Sequence, residues 1–427
     1  MKMKIKKVLI ALGVCLILAC CGCGDNQSAN DAQPSTGDKE QITLTFAHPG
    51  STLDVEVLEA RIALFEEQNP DIKIENQHIT GDYLENYTTM FAGDSAADIL
   101  WLAEGIHTFS SKGQLLPLNS YLEDAGVDLV KRNGKEYVDM YSYDGQIYGL
   151  PDRAGSMIVY YNKNLFDEAG IEYPNASWTW EDMLSAAKVL TKGEGENEQW
   201  GFGLEYWHPF WMNWCYQNGG KVVDEQGNIV INSSENIEAL TFMQELLTVH
   251  DVVPSRTEIA DFGSGATAAT IFAQGRMGFI MNGLWTVAAL QDVDFDWGIA
   301  EMWGEKENVT CPFGSVLSIS SACKNPEAAF RFLNFMSDVD SQELIVEYKQ
   351  DVPANLEVRN SELFTNAKWT GKPIDLDIFN RQPVYALPMT SEWIAWNTIW
   401  SDELAGVYDG TTEPAKALES IETKMKQ

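Results

Sequence analysis

The hydrophobic positions of this chain switch repeatedly between a period of two and a period of about 3.6. Residues 42–46 alternate in polarity and include β-branched side chains, which predicts a strand. Residues 55–65 carry apolar side chains at helical spacing, and this helix is predicted to end just before Pro70. Further strands are predicted at 72–74, 98–102, 147–151 and 156–161, with a helix at 83–91. Strands that alternate with helices are typical of an α/β fold with a parallel sheet.

The second half of the chain is predicted to be rich in helices. The predicted helices cover 180–191, 235–249, 326–336, 340–348, 391–407 and 412–426. Residues 192–198 are acidic and contain glycine, which is typical of a surface loop. The chain has no internal repeat, and about 400 residues follow its apolar N-terminal segment, more than one hydrophobic core usually holds. Two lobes or domains are therefore expected.

The N-terminal segment predicts export and lipid anchoring. Basic residues precede an apolar run at 8–19 that is too short for a comfortable membrane span. The small residue before Cys20 resembles a bacterial lipobox, so 1–19 are interpreted as a lipoprotein signal peptide. Cys20 would then carry two acyl chains, which stable anchoring requires. Cys21 and Cys23 are poorer acceptors, and the alternative is a cleaved signal that leaves free cysteines.

Residues 20–40 are interpreted as the lipidated cysteine and a flexible tether. From residue 25 to residue 40 the chain lacks aromatic and large apolar side chains, so it cannot bury enough surface to become ordered. The rest of the sequence has no further apolar run of membrane-spanning length. The expected location is therefore the outer face of the cell membrane, with the membrane contacted through the lipid anchor only.

Charge and cysteine content exclude several classes of protein. The formal net charge of −34 argues against nucleic acid and against anionic lipid head groups, because both need a basic surface. We interpret this acidity as a source of solubility and not as a sign of a cationic ligand. Only Cys215, Cys311 and Cys323 lie beyond the signal region, so no disulfide framework is expected. Cys215 is interpreted as a core thiol, whereas pairing of Cys311 with Cys323 stays open.

Five segments, in order along the chain, carry a resemblance to a known family. They are 44–75, 96–122, 144–204, 272–290 and 312–338. The central segment contains Gly149-Leu150-Pro151, Tyr160-Tyr161-Asn162-Lys163 and Trp180-Glu181. Together the segments resemble the extracellular solute-binding proteins of bacterial ABC importers, in the carbohydrate-binding class that includes maltose-binding protein. The resemblance covers nearly all of 41–427.

The resemblance implies a two-lobe periplasmic-binding-protein fold of type II, in which hinged α/β lobes enclose a ligand cleft. The expected N-terminal lobe comprises 41–152 and 315–352, and the expected C-terminal lobe comprises 153–314 and 353–427. Pro151 and Gly155 flank the stretch that would cross between the lobes, where a hinge needs few residues that absorb a backbone change. The implied partners are a carbohydrate ligand and the permease subunits of an ABC importer, and the protein is expected to be a monomer.

The tryptophans supply candidate platforms for a sugar. A sugar presents C–H faces and dense hydroxyl groups, so its site combines flat aromatic rings with planar hydrogen-bonding groups. Trp207 and Trp211 lie in an aromatic stretch that is interrupted too often by proline and polar residues for an ordinary strand. Trp285 follows a glycine-containing turn. Trp393 begins a helical stripe that ends in Trp400; such a stripe is typical of a core face, but we expect Trp393 to face the cleft. By the resemblance, Trp285 and Trp393 match positions at which the family stacks aromatic rings on sugar.

Polar partners are expected in loops that follow strands. His48 and Ser51 follow the first strand, and Glu104 follows the strand that begins near residue 98. Arg153 lies at the first hinge, and Arg381 precedes the last helical block. An arginine fork or a carboxylate can bridge adjacent sugar hydroxyls. The alternative for each of these residues is a solvated surface charge.

No sequence pattern points to catalysis, to a metal or to a cofactor. The five histidines are scattered, and neither HExxH nor GxSxG occurs. Our main hypothesis is a lipid-anchored binding protein for a mono- or oligosaccharide. One alternative is a surface glycosidase or lyase, because carboxylates are abundant. The other is a binding protein for another solute, such as a polyamine, a peptide or a metal complex.

Overall fold

The computed structural model describes residues 41–50, 52–369, 371 and 374–427, apart from the side chains of Thr52, Leu53 and Glu196. The described residues do not include the predicted signal peptide, the predicted lipidation site Cys20, the predicted tether or the predicted site residue Ser51. Within the described ranges, every helix is too short or too polar to span a lipid bilayer.

Strands and helices alternate in the first half of the chain, and the last hundred residues are mostly helical. The strands are β1 Ile42–His48, β2 Ile72–His78, β3 Ile99–Leu102, β4 Ser142–Tyr143, β5 Gln146–Ile147, β6 Leu150–Ser156, β7 Ile158–Asn162, β8 Trp200–Gly203, β9 Met277–Asn282, β10 Trp297–Ala300 and β11 Pro312–Ile319. The helices up to residue 273 are α1 Thr52–Gln68, α2 Tyr83–Ala92, α3 Ile106–Ser111, α4 Asn119–Asp124, α5 Leu129–Asn133, α6 Lys135–Met140, α7 Lys163–Ala169, α8 Trp180–Leu190, α9 His208–Gln217, α10 Ser234–Thr248, α11 Arg256–Asp261 and α12 Ala268–Ala273. The later helices are α13 Pro326–Met336, α14 Val339–Glu347, α15 Leu356–Arg359, α16 Glu362–Thr365, α17 Ile378–Arg381, α18 Trp393–Tyr408 and α19 Pro414–Met425, and two 3₁₀ segments cover Gly195–Asn197 and Leu284–Leu290.

The first sheet has the strand order β2-β1-β3-β11-β6. β1 is parallel to β2 and to β3, as the alternation of strands and helices predicts. β11 is antiparallel to both of its neighbours, so the sheet is mixed and not purely parallel. The reason is that Pro312, at the start of β11, pairs with Ser156, at the end of β6. β11 therefore begins at the edge of the sheet where β6 ends, and it runs in the opposite direction to β6.

The second sheet has the order β10-β7-β9-β8, in which β7 is antiparallel to both neighbours and β8 is parallel to β9. Only Met157 separates β6 from β7, so the chain passes from one sheet to the other at that residue and not between Pro151 and Gly155. Residues 350–354 run beside this crossing, where the Ala154 amide donates to the Val352 carbonyl at 3.1 Å. Three chain segments therefore meet at the junction between the sheets.

Apolar clusters cover both faces of each sheet. The first sheet lies between a cluster that includes Phe65 and Phe332 and another that includes Tyr87 and Phe109. The second sheet lies between a tryptophan-rich cluster and a cluster that includes α12. Burial of both faces explains why β6 and β7 are completely buried strands. The lobe ranges given above stay a prediction, although the first sheet itself extends to Ser156 and resumes at Pro312.

The structure also settles the conformation of the aromatic stretch and the state of the cysteines. The aromatic stretch around Trp211 is the helix α9, which begins with Pro209 in its first turn, a position that proline favours. Cys215 is a buried core thiol, as predicted. Cys311 and Cys323 are both free, so the pairing left open by the sequence does not form.

Candidate ligand-binding cleft

A cavity of about 810 Å³ is lined by residues of both sheets and of the crossing segments. Trp101, at the end of β3, and Glu104 line one side, whereas Asn282, at the end of β9, and Thr286 line the other. The start of β11 and residues 350–351 complete the lining at the junction of the sheets. Small-molecule sites are clefts of about 300–1,000 Å³. The cavity therefore has the size and the place of a ligand cleft between two lobes.

Three aromatic rings form one wall of the cavity. Trp207 is 40% exposed and Trp285 is 37% exposed, which is unusual for so large an apolar side chain. The ring of Phe313 lies between them, stacked on Trp207 at 6.1 Å and edge-on to Trp285 at 4.7 Å between centroids. All three residues line the cavity. Flat rings that remain accessible inside a cavity can stack on the apolar face of a ligand.

The indole of Trp285 is held by a close approach to Gly283. A Cβ atom at Gly283 would lie 2.1 Å from the indole Cζ3, so the absence of a side chain lets the ring fold over the backbone. The Gly283 carbonyl accepts a hydrogen bond from the Tyr160 hydroxyl at 3.0 Å, which fixes this turn to β7. The sequence Asn282-Gly283-Leu284-Trp285 therefore positions an aromatic platform at the end of β9.

The opposite wall carries a second aromatic platform. Trp101 lies edge-on to Tyr83, with ring centroids 5.9 Å apart, and both residues line the cavity. The Arg153 guanidinium lies 5.8 Å above the Trp101 ring, within reach of a cation–π contact. The two sides of the cavity thus both present indole rings.

Arg153 is held in place by acidic neighbours. Its Nη1 lies 2.9 Å from Asp54 Oδ1, and its Nε lies 3.7 Å from Asp152 Oδ2. Asp152 is itself fixed by Arg61, whose Nη2 lies 2.6 Å from Asp152 Oδ1 in the buried interior. Arg153 is therefore a buried, pre-oriented group at the cavity wall.

Glu104 and His208 approach each other from opposite sides of the cavity. Glu104 accepts a hydrogen bond from the Tyr83 hydroxyl, and burial raises the pKa of its carboxyl group. Burial lowers the pKa of His208 to about 3, so its imidazole is neutral at neutral pH. The 3.6 Å separation between His208 Nε2 and Glu104 Oε1 is therefore not an ion pair at neutral pH. It brings two polar groups face to face across the cleft.

Glu205 is a further carboxylate of the cavity, on the side of the second sheet. Its Oε1 accepts a hydrogen bond from the Ala269 amide at 3.4 Å, in the first turn of α12. Burial raises the pKa of Glu205 to about 7. Thr286 also lines the cavity, and its buried Oγ1 has no hydrogen-bond partner among the described residues. Both groups can accept hydrogen bonds from a polar ligand.

Comparison with known proteins identifies the family. Residues 47–343 match the bacterial extracellular solute-binding protein family. The chain belongs to that family. An ABC substrate-binding protein of Listeria monocytogenes, solved in complex with cycloalternan, is 30% identical and superposes with a TM-score of 0.82 over 90% of this chain and 98% of its own.

Other relatives agree with this assignment. An arabinooligosaccharide-binding protein of Halalkalibacterium halodurans is 28% identical over 51% of this chain, and the match spans about half, 47%, of that relative. A maltooligosaccharide ABC transporter solute-binding lipoprotein of Streptococcus pneumoniae is 25% identical over 66% of this chain and 67% of its own. A maltose-bound protein of T. maritima has a TM-score of 0.77 at 21% identity, over 90% of this chain and 99% of its own.

These findings confirm the predicted family and the predicted fold class. The chain has the two-lobe α/β fold of type II periplasmic binding proteins, with one sheet in each lobe. The family is one of extracellular solute-binding proteins. In the described ranges, no group of three histidine, cysteine or acidic side chains is arranged to hold a metal ion.

The cavity of this solute-binding protein includes four of the nine predicted site residues. They are Glu104, Arg153, Trp207 and Trp285. Ser51 is outside the described residues. The remaining four, which are His48, Trp211, Arg381 and Trp393, do not line it.

The predicted cleft positions of Trp211 and Trp393 are wrong. Trp211 is 1% exposed and packs edge-on against Trp400 at 5.7 Å, because it lies on the inner face of α9. Trp393 is completely buried behind His208, with ring centroids 5.0 Å apart. The whole stripe that begins at Trp393 is therefore a core face, as its helical spacing also allows.

His48 and Arg381 are also outside the cavity lining. His48 is buried, its Nδ1 accepts a hydrogen bond from the Gly50 amide at 3.1 Å, and its ring stacks on His78. Arg381 is a surface residue whose guanidinium is paired with Glu301 and Asp375. The structure gives His48 a role in the turn after β1 and Arg381 a role in a surface ion-pair network.

Several lining residues were not predicted as site residues from the sequence. Trp101 lies in a predicted buried strand, Phe313 begins the return crossing, and Asp351 follows a predicted helix. Only Trp101 had a signal, since it is close to the end of a strand whose next loop carries Glu104. Phe313 and Asp351 reach the cavity through the crossing geometry, which local sequence does not encode.

Proposed function

We propose that this protein is an extracytoplasmic binding protein that captures a mono- or oligosaccharide in its cleft and delivers it to the permease of an ABC importer. The observation that carries this proposal is the pair of indole-bearing walls, with Trp101 on one side of the cavity and Trp207 and Trp285 on the other. Sugars need such platforms together with polar groups, and Glu104, Arg153 and Glu205 supply them. The names of relatives that bind arabino- and maltooligosaccharides favour the same class of ligand.

Binding is expected to close the two lobes. A sugar that touches both walls gains contacts in the closed form that it lacks in the open form, and only such a difference in affinity shifts the equilibrium. The crossing at Met157 is short, which suits a hinge. Surfaces beside the closed cleft would then meet the permease, and the chemistry of ATP would take place elsewhere.

We also propose that the mature chain is a monomer anchored through a diacylated Cys20. The support is the sequence of the N-terminal segment and the lipoprotein name of the Streptococcus pneumoniae relative. Metabolic labelling with a radioactive fatty acid tests the anchor. Incorporation that is lost in Cys20→Ser is the expected result, and retention of the label in that variant would overturn it.

A thermal-shift screen over mono- and oligosaccharides tests the main proposal. At least one saccharide is expected to raise the melting temperature, and prolonged incubation with it should leave its concentration unchanged. Turnover of the saccharide would identify a surface glycosidase or lyase instead. A melting shift with peptides or polyamines, but with no sugar, would identify a binding protein for another solute.

A further inference from the structure

The charges on the cavity wall are unbalanced. Among the described lining residues, the ionisable carboxyl groups outnumber the guanidinium groups by four to one, and they are Asp54, Glu104, Glu205 and Asp351 against Arg153. Arg153 is already paired with Asp54 at 2.9 Å and also lies close to Asp152. Asp351 is not within ion-pair distance of a described cation, but its Oδ1 accepts a hydrogen bond from the Val352 amide at 2.7 Å, and the charge of Arg153 opposes the rise in its pKa. Arg153 is therefore shared among Asp54, Asp152 and Asp351, and Asp351 has no cation of its own.

Two other residues of the lining carry buried polar atoms without a hydrogen-bond partner among the described residues. Gln350 is 4% exposed; its Nε2 donates to Asp54 Oδ1 at 2.5 Å, but its Oε1 has no partner among the described residues. Ser315 is 1% exposed, and its Oγ is likewise without a partner there. Both side chains line the cavity with Asp351. We call Ser315, Gln350 and Asp351 the hinge-side corner.

Burial makes this arrangement costly without a ligand. It raises the pKa of Asp351 to about 6, against the opposing effect of Arg153 and with a smaller contribution from Asp54 and Asp152. A buried polar atom without a hydrogen bond also costs free energy. A ligand group that brings both a positive charge and several donors offsets both costs at once.

An ammonium group has this chemistry. It carries one positive charge and three N–H donors, so it can serve the Asp351 carboxylate together with a further acceptor such as Gln350 Oε1. A sugar hydroxyl supplies one donor and no charge. A carboxylated or phosphorylated sugar would add a like charge to a cavity that already holds four carboxyl groups.

We propose that the saccharide taken by this cleft carries a protonated amino group, and that its ammonium group binds at the hinge-side corner. This inference rests on the proposed function, because the sugar ring still needs the indoles of Trp207 and Trp285. The acidity of the whole chain was interpreted above as a source of solubility. The ammonium group is assigned to the carboxyl group of Asp351, at one corner of the cavity.

Matched triplets of saccharides test the inference. Each triplet has the same ring and linkage and differs only in a hydroxyl, an amino or an N-acetylamino group at one carbon, over several monosaccharides and disaccharides. The amino member of at least one triplet is expected to bind about tenfold more tightly than both of its partners. Neutral saccharides that bind as tightly as their amino forms would overturn the inference and leave the proposed function standing. Failure of every saccharide to bind would overturn both.

Asp351→Asn locates the ammonium group, with the exposed Asp261→Asn as a control that changes the net charge equally. The preference for the amino member is expected to fall to within about twofold in Asp351→Asn and to persist in Asp261→Asn. A preference that survives in Asp351→Asn would contradict the assigned position.

A pH series on the unmodified protein serves if Asp351→Asn does not fold. The pKa of Asp351 is about 6 and that of Glu205 in the same cavity is about 7, while burial also raises the pKa of Glu104. The cavity therefore gains negative charge as the pH rises, and affinity for the amino member is expected to increase between about pH 5 and pH 7 relative to its neutral partner. An affinity ratio that does not change over this range would contradict the inference.

Discussion

Tryptophan side chains have different roles in this protein, according to whether their rings lie in the cavity or in the hydrophobic core. The indoles of Trp207 and Trp285 remain accessible in the cavity, whereas those of Trp211 and Trp393 are sealed in the core of the second lobe. Sequence spacing identifies the face of a helix but not what lies against that face. This is why a stripe that begins at Trp393 allows either interpretation until the packing of α9 on α18 is known.

Replacement of one exposed and one buried tryptophan separates the two roles. Trp285→Ala is expected to weaken saccharide binding by about tenfold or more with a smaller change in melting temperature than a core substitution, because the side chain is 37% exposed in the cavity. Trp211→Ala is expected to lower the free energy of unfolding by about 3–5 kcal/mol, because it leaves a cavity in the core. Titration calorimetry and denaturant unfolding measure the two effects, and the reverse pattern would contradict these placements.

The buried His208 is expected to make stability depend on pH. Its pKa in the folded protein, about 3, is below the ordinary value of 6.5, so the folded state disfavours the protonated form. The contribution of the neutral His208 side chain to the free energy of unfolding is therefore complete above about pH 6.5. It is lost progressively as the pH falls toward 3.

The difference in melting temperature between the unmodified protein and His208→Gln should therefore shrink as the pH falls from about 7 to about 4. A difference for His208→Gln that does not vary with pH would show that the folded protein accepts the charged imidazole.

At the scale of elements, one buried ion pair fixes the strand that leaves the first sheet. Arg61 of α1 pairs with Asp152 of β6 at 2.6 Å and also donates to the Met336 carbonyl at 2.6 Å and to Ser341 Oγ at 2.8 Å. Gln342 of α14 donates to the Asp152 carbonyl at 2.9 Å. The network joins α1, β6 and α14 directly behind Arg153, which faces the cleft.

A double-mutant cycle measures this network. Arg61→Met is expected to lower the free energy of unfolding by about 3–5 kcal/mol, because it leaves the Asp152 carboxylate buried without its partner. Asp152→Leu combined with Arg61→Met should cost much less than the sum of the single changes, since no charge then remains unpaired. Additive losses in urea unfolding would show that the two side chains do not interact.

Most elements were predictable from the sequence because their signals are local. The helix ending before Pro70, the capped helix α8 and the helices α10, α13 and α19 lie within a few residues of their predicted positions. The direction of β11 was not predictable, because it depends on where the chain returns from the second sheet. The positions of Phe313 and Asp351 in the cavity lining could not be predicted for the same reason, because they depend on three chain segments that meet at the crossing.

At the scale of the whole molecule, function depends on two lobes that each supply part of one site. Trp101 and Glu104 belong to the wall built from the first sheet, and Trp207, Glu205 and Trp285 belong to the wall built from the second. A ligand held by one wall alone would give the open and closed forms equal affinity and would shift nothing between them. Closure on binding therefore requires that both walls contribute to affinity.

Titration calorimetry with the saccharide selected by the thermal-shift screen tests this requirement most directly. The predicted result is one saccharide bound per chain without consumption, and a loss of affinity of about tenfold or more in each of Trp101→Ala and Trp285→Ala, one from each wall. Undiminished binding in either variant that remains folded, or steady heat from saccharide turnover, would contradict the account.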